Sequence, residues 1–264
     1  MLTKLKTVVI IPSRWGSTRF PGKPLEIIAG KPMIQWVFER AKEAKTVSEV
    51  IVATDDERIL NTVIGFGGKA VLTSPDHPSG TDRIAEAAER LDYDIVVNIQ
   101  GDEPLIPSSN IDLLVKPFLD DEFIKVTTLK TRIFDIEEIY DPNVVKVTSS
   151  QSGFALYFSR SLIPFERDNW ENGKWNFSTK DLISGEKTFF RHIGAYGFKK
   201  SFLMEYINMP ESDLEKAEKL EQLRIIENGI PIKIVETNIG SIGVDCREDL
   251  AKVEELLSQA ERVN

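Results

Sequence analysis

Residues 8–25 constrain this chain more than any other stretch. Val8-Val9-Ile10-Ile11 is an unbroken apolar run, the mark of a strand buried on both faces. It empties into Pro12-Ser13-Arg14-Trp15-Gly16-Ser17-Thr18-Arg19-Phe20-Pro21-Gly22-Lys23-Pro24-Leu25, which mixes glycines, cations and hydroxyls. Glycine lets backbone approach a ligand closely and turn its N–H groups inward. Arginine and lysine add the charge that a polyphosphate needs. The pattern predicts a buried strand that delivers a phosphate-binding loop for a nucleoside triphosphate.

The loop departs from the common phosphate motifs. In G-x-x-x-x-G-K-[ST] the last hydroxyl holds magnesium. Here Gly16 and Gly22-Lys23 are one residue too far apart, and Pro24 follows the lysine. No G-x-G-x-x-G dinucleotide pattern is present either. Any magnesium must therefore be held from elsewhere in the chain.

The same βα unit recurs along the first half, which predicts a mostly parallel sheet with helices on both faces. Met33, Ile34, Val37, Phe38 and Ala41 recur at helical spacing, and Val50 to Ala53 reads as a second buried strand. A helix through Ile59 and Val63, a strand at Ala70-Val71-Leu72, and a helix through Ile84 and Leu91 follow. That helix is expected to be capped by Thr81 or Asp82. Asp94 to Ile99 is a fourth strand.

Later segments change character. Strands are expected at 126–129, 144–147 and 154–158 without helices between them, then at 192–198 and 232–235. Residues 168–187 are polar and read as a long loop or lid. A single helix is expected over 214–227, ending at Asn228-Gly229, and a closing helix over 248–262. No repeat or linker divides the chain. The expectation is one catalytic domain over 1–264, with a nucleotide-binding half (1–120), a sugar-binding and dimerisation segment (121–245) and a C-terminal helix (246–264).

A net charge of −9 argues against nucleic acid as the main partner. It leaves room for a nucleotide, because a few local cations suffice in a cleft. Cys246 is the single cysteine, so no intrachain disulfide can form, which suits a reducing cytoplasm. Neither a signal peptide nor an apolar run long enough to cross a bilayer is read, so no membrane insertion is expected.

Gln100-Gly101-Asp102-Glu103-Pro104 follows the fourth strand. In open α/β sheets ligands bind beyond the carboxyl ends of strands, where Asp102 can offer hard oxygen to magnesium. The same turn reads equally well as a plain polar turn. Asp245, in Gly243-Val244-Asp245-Cys246, is a second acid placed before a helix, where it could equally be a cap. If the strand before it lies beside the fourth strand, Asp102 and Asp245 converge on one ion. The loop Pro75-Asp76-His77-Pro78-Ser79-Gly80-Thr81-Asp82-Arg83 offers backbone groups and hydroxyls for a base and a ribose, or only a capping turn. No Cys/His spacing supports zinc, and no Ser-His-Asp set reads as a nucleophilic triad.

Together these segments resemble the 3-deoxy-D-manno-octulosonate cytidylyltransferase family, also called CMP-KDO synthetases. The resemblance runs through Ser17-Thr18-Arg19-Phe20-Pro21-Gly22-Lys23-Pro24-Leu25, Ser79-Gly80-Thr81-Asp82-Arg83 and Gln100-Gly101-Asp102-Glu103-Pro104. Ala155-Leu156-Tyr157-Phe158-Ser159-Arg160, Arg191-His192-Ile193-Gly194 and Leu220-Glu221-Gln222-Leu223-Arg224 extend it, and the Tyr157–Arg160 and Leu220–Arg224 segments favour this family over its relatives. It implies a Rossmann-like nucleotidyltransferase domain with a smaller strand-rich dimerisation lobe.

The resemblance also implies a reaction. CMP passes from CTP to an acidic eight-carbon sugar, with magnesium, activating the sugar for lipopolysaccharide biosynthesis. Arg14, Lys23 and Asp102 are the implied catalytic residues, and Asp102 and Asp245 the magnesium ligands. Pro12, Arg14, Lys23, Pro75, Ser79, Gly80, Arg83 and Gln100 would bind the nucleotide. Gln100, Arg160, His192, Tyr196, Glu221 and Gln222 would hold the sugar, with Arg160 gripping its carboxylate in bidentate fashion. A homodimer is implied, built on the second-half strands. Segment 168–187 is longer than the family's usual pattern. The alternatives are a related acceptor (the 8-amino analogue, a sialic acid or a polyol phosphate) and a nucleotide-binding module without turnover.

Overall fold

The computed structural model describes residues 5–16, 20–171, 174–240, 242–244 and 246–261. Strand β1 (Thr7–Ser13) is buried at every position. After the phosphate loop come a one-turn 3-10 helix (Lys23–Leu25) and the short antiparallel pair β2 (Ile27–Ile28) and β3 (Lys31–Pro32). Helix α1 (Met33–Lys42) buries Met33, Ile34, Val37, Phe38 and Ala41, the face that 3.6-residue spacing selects. The unit then repeats as β4 (Glu49–Thr54), α2 (Glu57–Gly65), β5 (Lys69–Leu72), α3 (Gly80–Glu89) and β6 (Ile95–Asn98). β6, β1, β4 and β5 lie side by side and parallel.

The cap of α3 is Ser79, whose hydroxyl oxygen accepts from the Asp82 N–H at 3.2 Å. Thr81 and Asp82, expected at the cap, sit inside the first turn. Ser79 wins because its backbone is extended while its oxygen still reaches the orphan N–H groups.

The second half contributes α4 (Ser108–Asp120), β7 (Val126–Arg132), α5 (Ile136–Tyr140), β8 (Lys146–Ser149) and β9 (Ala155–Ser159). It continues with β10 (Trp170–Glu171), β11 (Lys174–Trp175), α6 (Thr179–Ser184), β12 (Phe190–Lys199), α7 (Lys200–Tyr206), α8 (Asp213–Glu218), α9 (Gln222–Glu227), β13 (Ile232–Glu236) and α10 (Arg247–Glu261). The main sheet runs β13-β7-β12-β6-β1-β4-β5, with β8 paired to β12 and to β9. β13 is parallel to β7, and β12 is antiparallel to both β6 and β7. The Rossmann-like expectation holds for the fold, with an antiparallel strand set into the middle of the sheet.

Three local expectations are corrected. A short helix, α5, lies between β7 and β8; Asp135 caps it by accepting from the Glu137 N–H at 3.0 Å. Segment 168–187 is not all loop. It carries β10, β11 and α6, and the rings of Phe165, Trp170, Trp175 and Phe177 meet one after another in tilted and edge-on contacts. The long helix expected over 214–227 is broken: Lys219 takes a left-handed conformation (φ 54°, ψ 48°), and its N–H closes α8 on the Glu215 carbonyl at 2.7 Å. A non-glycine residue there costs on the order of 1 kcal/mol.

Alternation along the strands feeds two cores. Val9, Ile11 and Val97 face α1 and α4 through Ile34, Val37 and Leu114. Val8, Ile10 and Val96 face α3 and α7 through Ile84, Ala85 and Phe202. Burying each such side chain contributes about 1.5–3 kcal/mol. A third cluster packs α10, through Val253 and Leu257, onto Phe20, Met33 and Val244. That contact sets the C-terminal helix beside the phosphate loop.

Candidate active site

β6 stops at Asn98, opposite Tyr196, whereas β12 extends past it back to Phe190. The early part of β12 therefore stands beyond the carboxyl end of β6. This leaves an open crevice where the parallel run meets the antiparallel strand, the kind of place where open α/β sheets bind ligands. Two cavities occupy it, of about 300 Å³ and 750 Å³. They share Gly80, Gln100 and Glu221 as common wall.

The smaller cavity belongs to the phosphate loop. Gly22 is left-handed (φ 74°), and a Cβ there would come 2.9 Å from the Trp15 indole. Its N–H donates to the Trp15 carbonyl at 3.1 Å, and the Arg58 guanidinium stacks 3.3 Å above the indole. So folded, the loop sends Lys23 inward, where Nζ lies 2.5 Å from Asp102 Oδ2 and 2.8 Å from the Val244 carbonyl. Pro12, Arg14, Lys23, Ser79, Gly80, Arg83, Gln100 and Asp102 all line this cavity. Pro75, expected among them, is not in its lining, whereas Ser13, His77 and Pro78 are.

Arg83 lines the wall but spends its donors inside it. The guanidinium bonds Asp55 Oδ2 at 2.8 Å, Thr73 Oγ1 at 2.6 Å and the Ser74 carbonyl at 3.3 Å. Asp55 also accepts from the Trp15 N–H at 3.3 Å, so one buried ion pair ties the phosphate loop to loop 73–79. Glu86, one turn on from Arg83, accepts from the Ser74 N–H at 2.9 Å and contacts the His77 ring.

The larger cavity collects Gln100, His192, Tyr196, Glu221 and Gln222. The kink at Lys219 lets α9 begin at Gln222 with Glu221 turned to the crevice, a placement that an unbroken helix would not give. Burial pushes the Glu221 carboxyl pKa up, against the Thr81 hydroxyl that donates to it at 2.8 Å. The Tyr196 phenol is likewise raised by burial. The His192 imidazole is pushed down to about 3 by burial, so it stands neutral at pH 7. Its Nε2 lies 2.8 Å from Thr128 Oγ1, a hydroxyl that also lies 2.9 Å from the Ala195 carbonyl.

Arg160 is not in the lining of either cavity. Nε donates to the Glu218 carbonyl at 2.7 Å and Nη1 to the Pro142 carbonyl at 2.9 Å. The cations that do line the larger cavity include Arg191 and Lys252, which the sequence reading did not select. Arg191 could have been found: it directly precedes His192 in a quoted segment.

The magnesium expectation can be tested on chemistry. Asp102 and the Val244 carbonyl, far apart along the chain, put two hard oxygens on one cationic nitrogen, so the spot suits a cation. Among the described residues no group of three His, Cys, Asp or Glu side chains is placed to hold a metal ion together. One or two carboxylates completed by substrate phosphates is the usual magnesium arrangement, so the donors present fit. Asp245 lies outside the described residues. The expected route to it is corrected, because β13 is separated from β6 by β7 and β12. Residues 242–244 reach Asp102 instead as a loop, with the Val244 N–H donating to the Asp102 carbonyl at 2.9 Å.

Comparison with known proteins gives this site a family. A cytidylyltransferase family model matches residues 8–235. A 3-deoxy-manno-octulosonate cytidylyltransferase of Trichlorobacter lovleyi is 50% identical over 97% of this chain and 100% of its own length. One from Geobacter sulfurreducens is 51% identical over 96% and 100%. The chain belongs to the 3-deoxy-manno-octulosonate cytidylyltransferase family. A solved CMP:2-keto-3-deoxy-manno-octonic acid synthetase complexed with CTP is 42% identical, with a TM-score of 0.88 over 97% of this chain and 99% of that one. The fold of this cytidylyltransferase is thus that of its relative along nearly the whole chain. No helix among the described residues is long and apolar enough to cross a membrane.

Proposed function

We propose that this chain transfers CMP from CTP to the anomeric hydroxyl of 3-deoxy-D-manno-octulosonate, releasing pyrophosphate. The observation that carries the reading is the pair of adjoining cavities. The phosphate loop opens into the smaller one, the larger is rich in polar groups, and Gly80, Gln100 and Glu221 form the seam. Such a seam lets an acceptor hydroxyl approach the α-phosphorus of a nucleotide held next door.

In this reading Arg14 and Lys23 hold the triphosphate and offset the charge that grows on the leaving pyrophosphate. Asp102 holds magnesium, with Asp245 as its partner ligand. When bound, the ion neutralises phosphate charge and orients the phosphoryl group. Gln100 and Glu221 line the path between the substrates, and neutral His192 offers the sugar a hydrogen-bonding nitrogen rather than a charge. No covalent protein nucleophile is needed, because positioning and electrostatic stabilisation carry most phosphoryl-transfer catalysis.

A homodimer and a cytoplasmic location belong to the same proposal. Leu156, Phe165, Trp170 and Ile183, all in the second-half segment, are exposed apolar side chains that a second subunit could cover. The location rests on Cys246 being the single cysteine.

The test is pyrophosphate release with CTP, UTP, ATP or GTP against a panel of acidic sugars. The expected result is turnover with CTP and 3-deoxy-D-manno-octulosonate far above every other pair. Equal rates with ATP, or preference for a sialic acid, would overturn the reading. Comparison with the 8-amino analogue measures how far the acceptor site discriminates at C8.

A further inference from the structure

Lys146 is wholly buried, and the reaction just described gives it no task. A buried ammonium is normally paired with a carboxylate. This one donates to two main-chain carbonyls, Asp141 at 2.9 Å and Val144 at 2.7 Å. Both belong to the turn that joins α5 to β8. Two further carbonyls of that turn are also held: Pro142 by Arg160 Nη1 at 2.9 Å, and Val145 by the His192 N–H at 2.8 Å. The turn is thus fastened through four of its five carbonyl oxygens, two of them by one side chain. Its outer side presents Asp141, Asn143, Val144 and Val145 to the larger cavity.

We propose that Lys146 is a positioning residue for the acceptor sugar: from inside the core it holds segment 141–145 in the shape that faces the larger cavity. The sugar role rests on the functional reading above; the holding of the segment does not. Lys146 is anchored on β8, opposite Ser159 on β9 and Arg191 on β12. The turn is therefore tied to the same sheet that carries His192. Burial lowers the lysine's pKa, outweighing the pull of the Asp141 and Glu218 carboxylates, neither of which hydrogen-bonds the ammonium. An apolar residue would avoid that cost of burial but leave the Val144 carbonyl without this donor and the Asp141 carbonyl with the Val144 N–H alone, loosening the turn on its inner side.

Full-length Lys146→Met, which keeps the buried stem and removes the donors, is compared with wild type in two measurements. In steady-state kinetics the KM for the sugar should rise at least tenfold while the KM for CTP stays within twofold. In native-state amide exchange without substrate, protection should fall in 141–145 and be retained in β1 and α1. If Lys146→Met does not fold, Lys146→Gln, which can still serve one carbonyl, carries the same comparison with a sugar effect of about threefold. Unchanged exchange in 141–145, or KM values that move together, would overturn the inference. Faster exchange there in a chain whose wild type shows no turnover with this sugar would instead overturn the functional reading and the sugar role, and leave only the holding of the turn.

Discussion

The Lys23 ammonium lies 2.5 Å from Asp102 Oδ2, so the group expected to meet the phosphates and the group expected to meet the metal are paired with each other. The same nitrogen bonds the Val244 carbonyl, which links the first phosphate-loop helix to the segment before α10. On the proposed reading, loading magnesium and CTP exchanges these contacts for others.

Lys23→Ala should therefore lower kcat by on the order of a hundredfold, about 3 kcal/mol of transition-state stabilisation. Asp102→Asn should lose most activity and require more magnesium for what remains. Rates at saturating CTP across a magnesium titration check both. Near-normal turnover of Asp102→Asn at limiting magnesium would reduce Asp102 to a turn residue.

Arg160 and Arg191 separate two ways of serving the sugar. Arg191 lines the larger cavity, whereas Arg160 bonds the carbonyls of Glu218 and Pro142. Arg191→Gln should raise the sugar KM about tenfold, the effect of losing one charge-assisted contact, with little change for CTP. Arg160→Lys should also raise the sugar KM, since a lysine cannot span both carbonyls. A defect of either variant confined to CTP would show that the cation serves the other cavity.

His192 gives a pH dependence of stability with a definite sign. Its pKa falls from an unfolded value of 6.5 to about 3 in the folded chain. Between those values the unfolded chain takes up a proton that the folded one refuses, so stability falls as pH drops through that window. The cavity leaves the ring partly solvated, so the loss from pH 7 to pH 5 should be about 1–2 kcal/mol. His192→Gln should lose less over the same interval. Urea midpoints at both pH values for the two proteins decide it: parallel shifts would remove His192 as the cause.

A buried ion pair spans the kink at Lys219. Arg224 bonds both Glu215 oxygens, at 2.6 and 2.7 Å, and the Met209 carbonyl at 2.9 Å. Glu215→Ala leaves the guanidinium without its carboxylate and should cost about 3–5 kcal/mol in urea unfolding. The sugar KM should rise as well, because the pair fixes the angle at which α9 presents Glu221 and Gln222. A loss below about 1 kcal/mol would mean that packing alone holds the kink.

The sequence by itself determined the parallel part of the sheet, because β1, β4 and β6 are apolar runs that solvent would penalise in any other setting. It also singled out the glycine- and cation-rich loop after β1, whose Arg14 and Lys23 line the smaller cavity. Gln100, His192, Tyr196, Glu221 and Gln222 could be named from their segments, and they share one cavity wall. What periodicity could not show was the helix break between Glu218 and Gln222: the residues there keep helical spacing, and Glu215 and Arg224 meet across the break. Nor could it show that Arg160 turns its guanidinium onto protein carbonyls outside both cavities while Arg191 lines the larger one. A charged residue reads the same in sequence whether its partner is a ligand, a carboxylate or a carbonyl. Only the tertiary structure decides that, because those partners arrive from strands and turns far away along the chain.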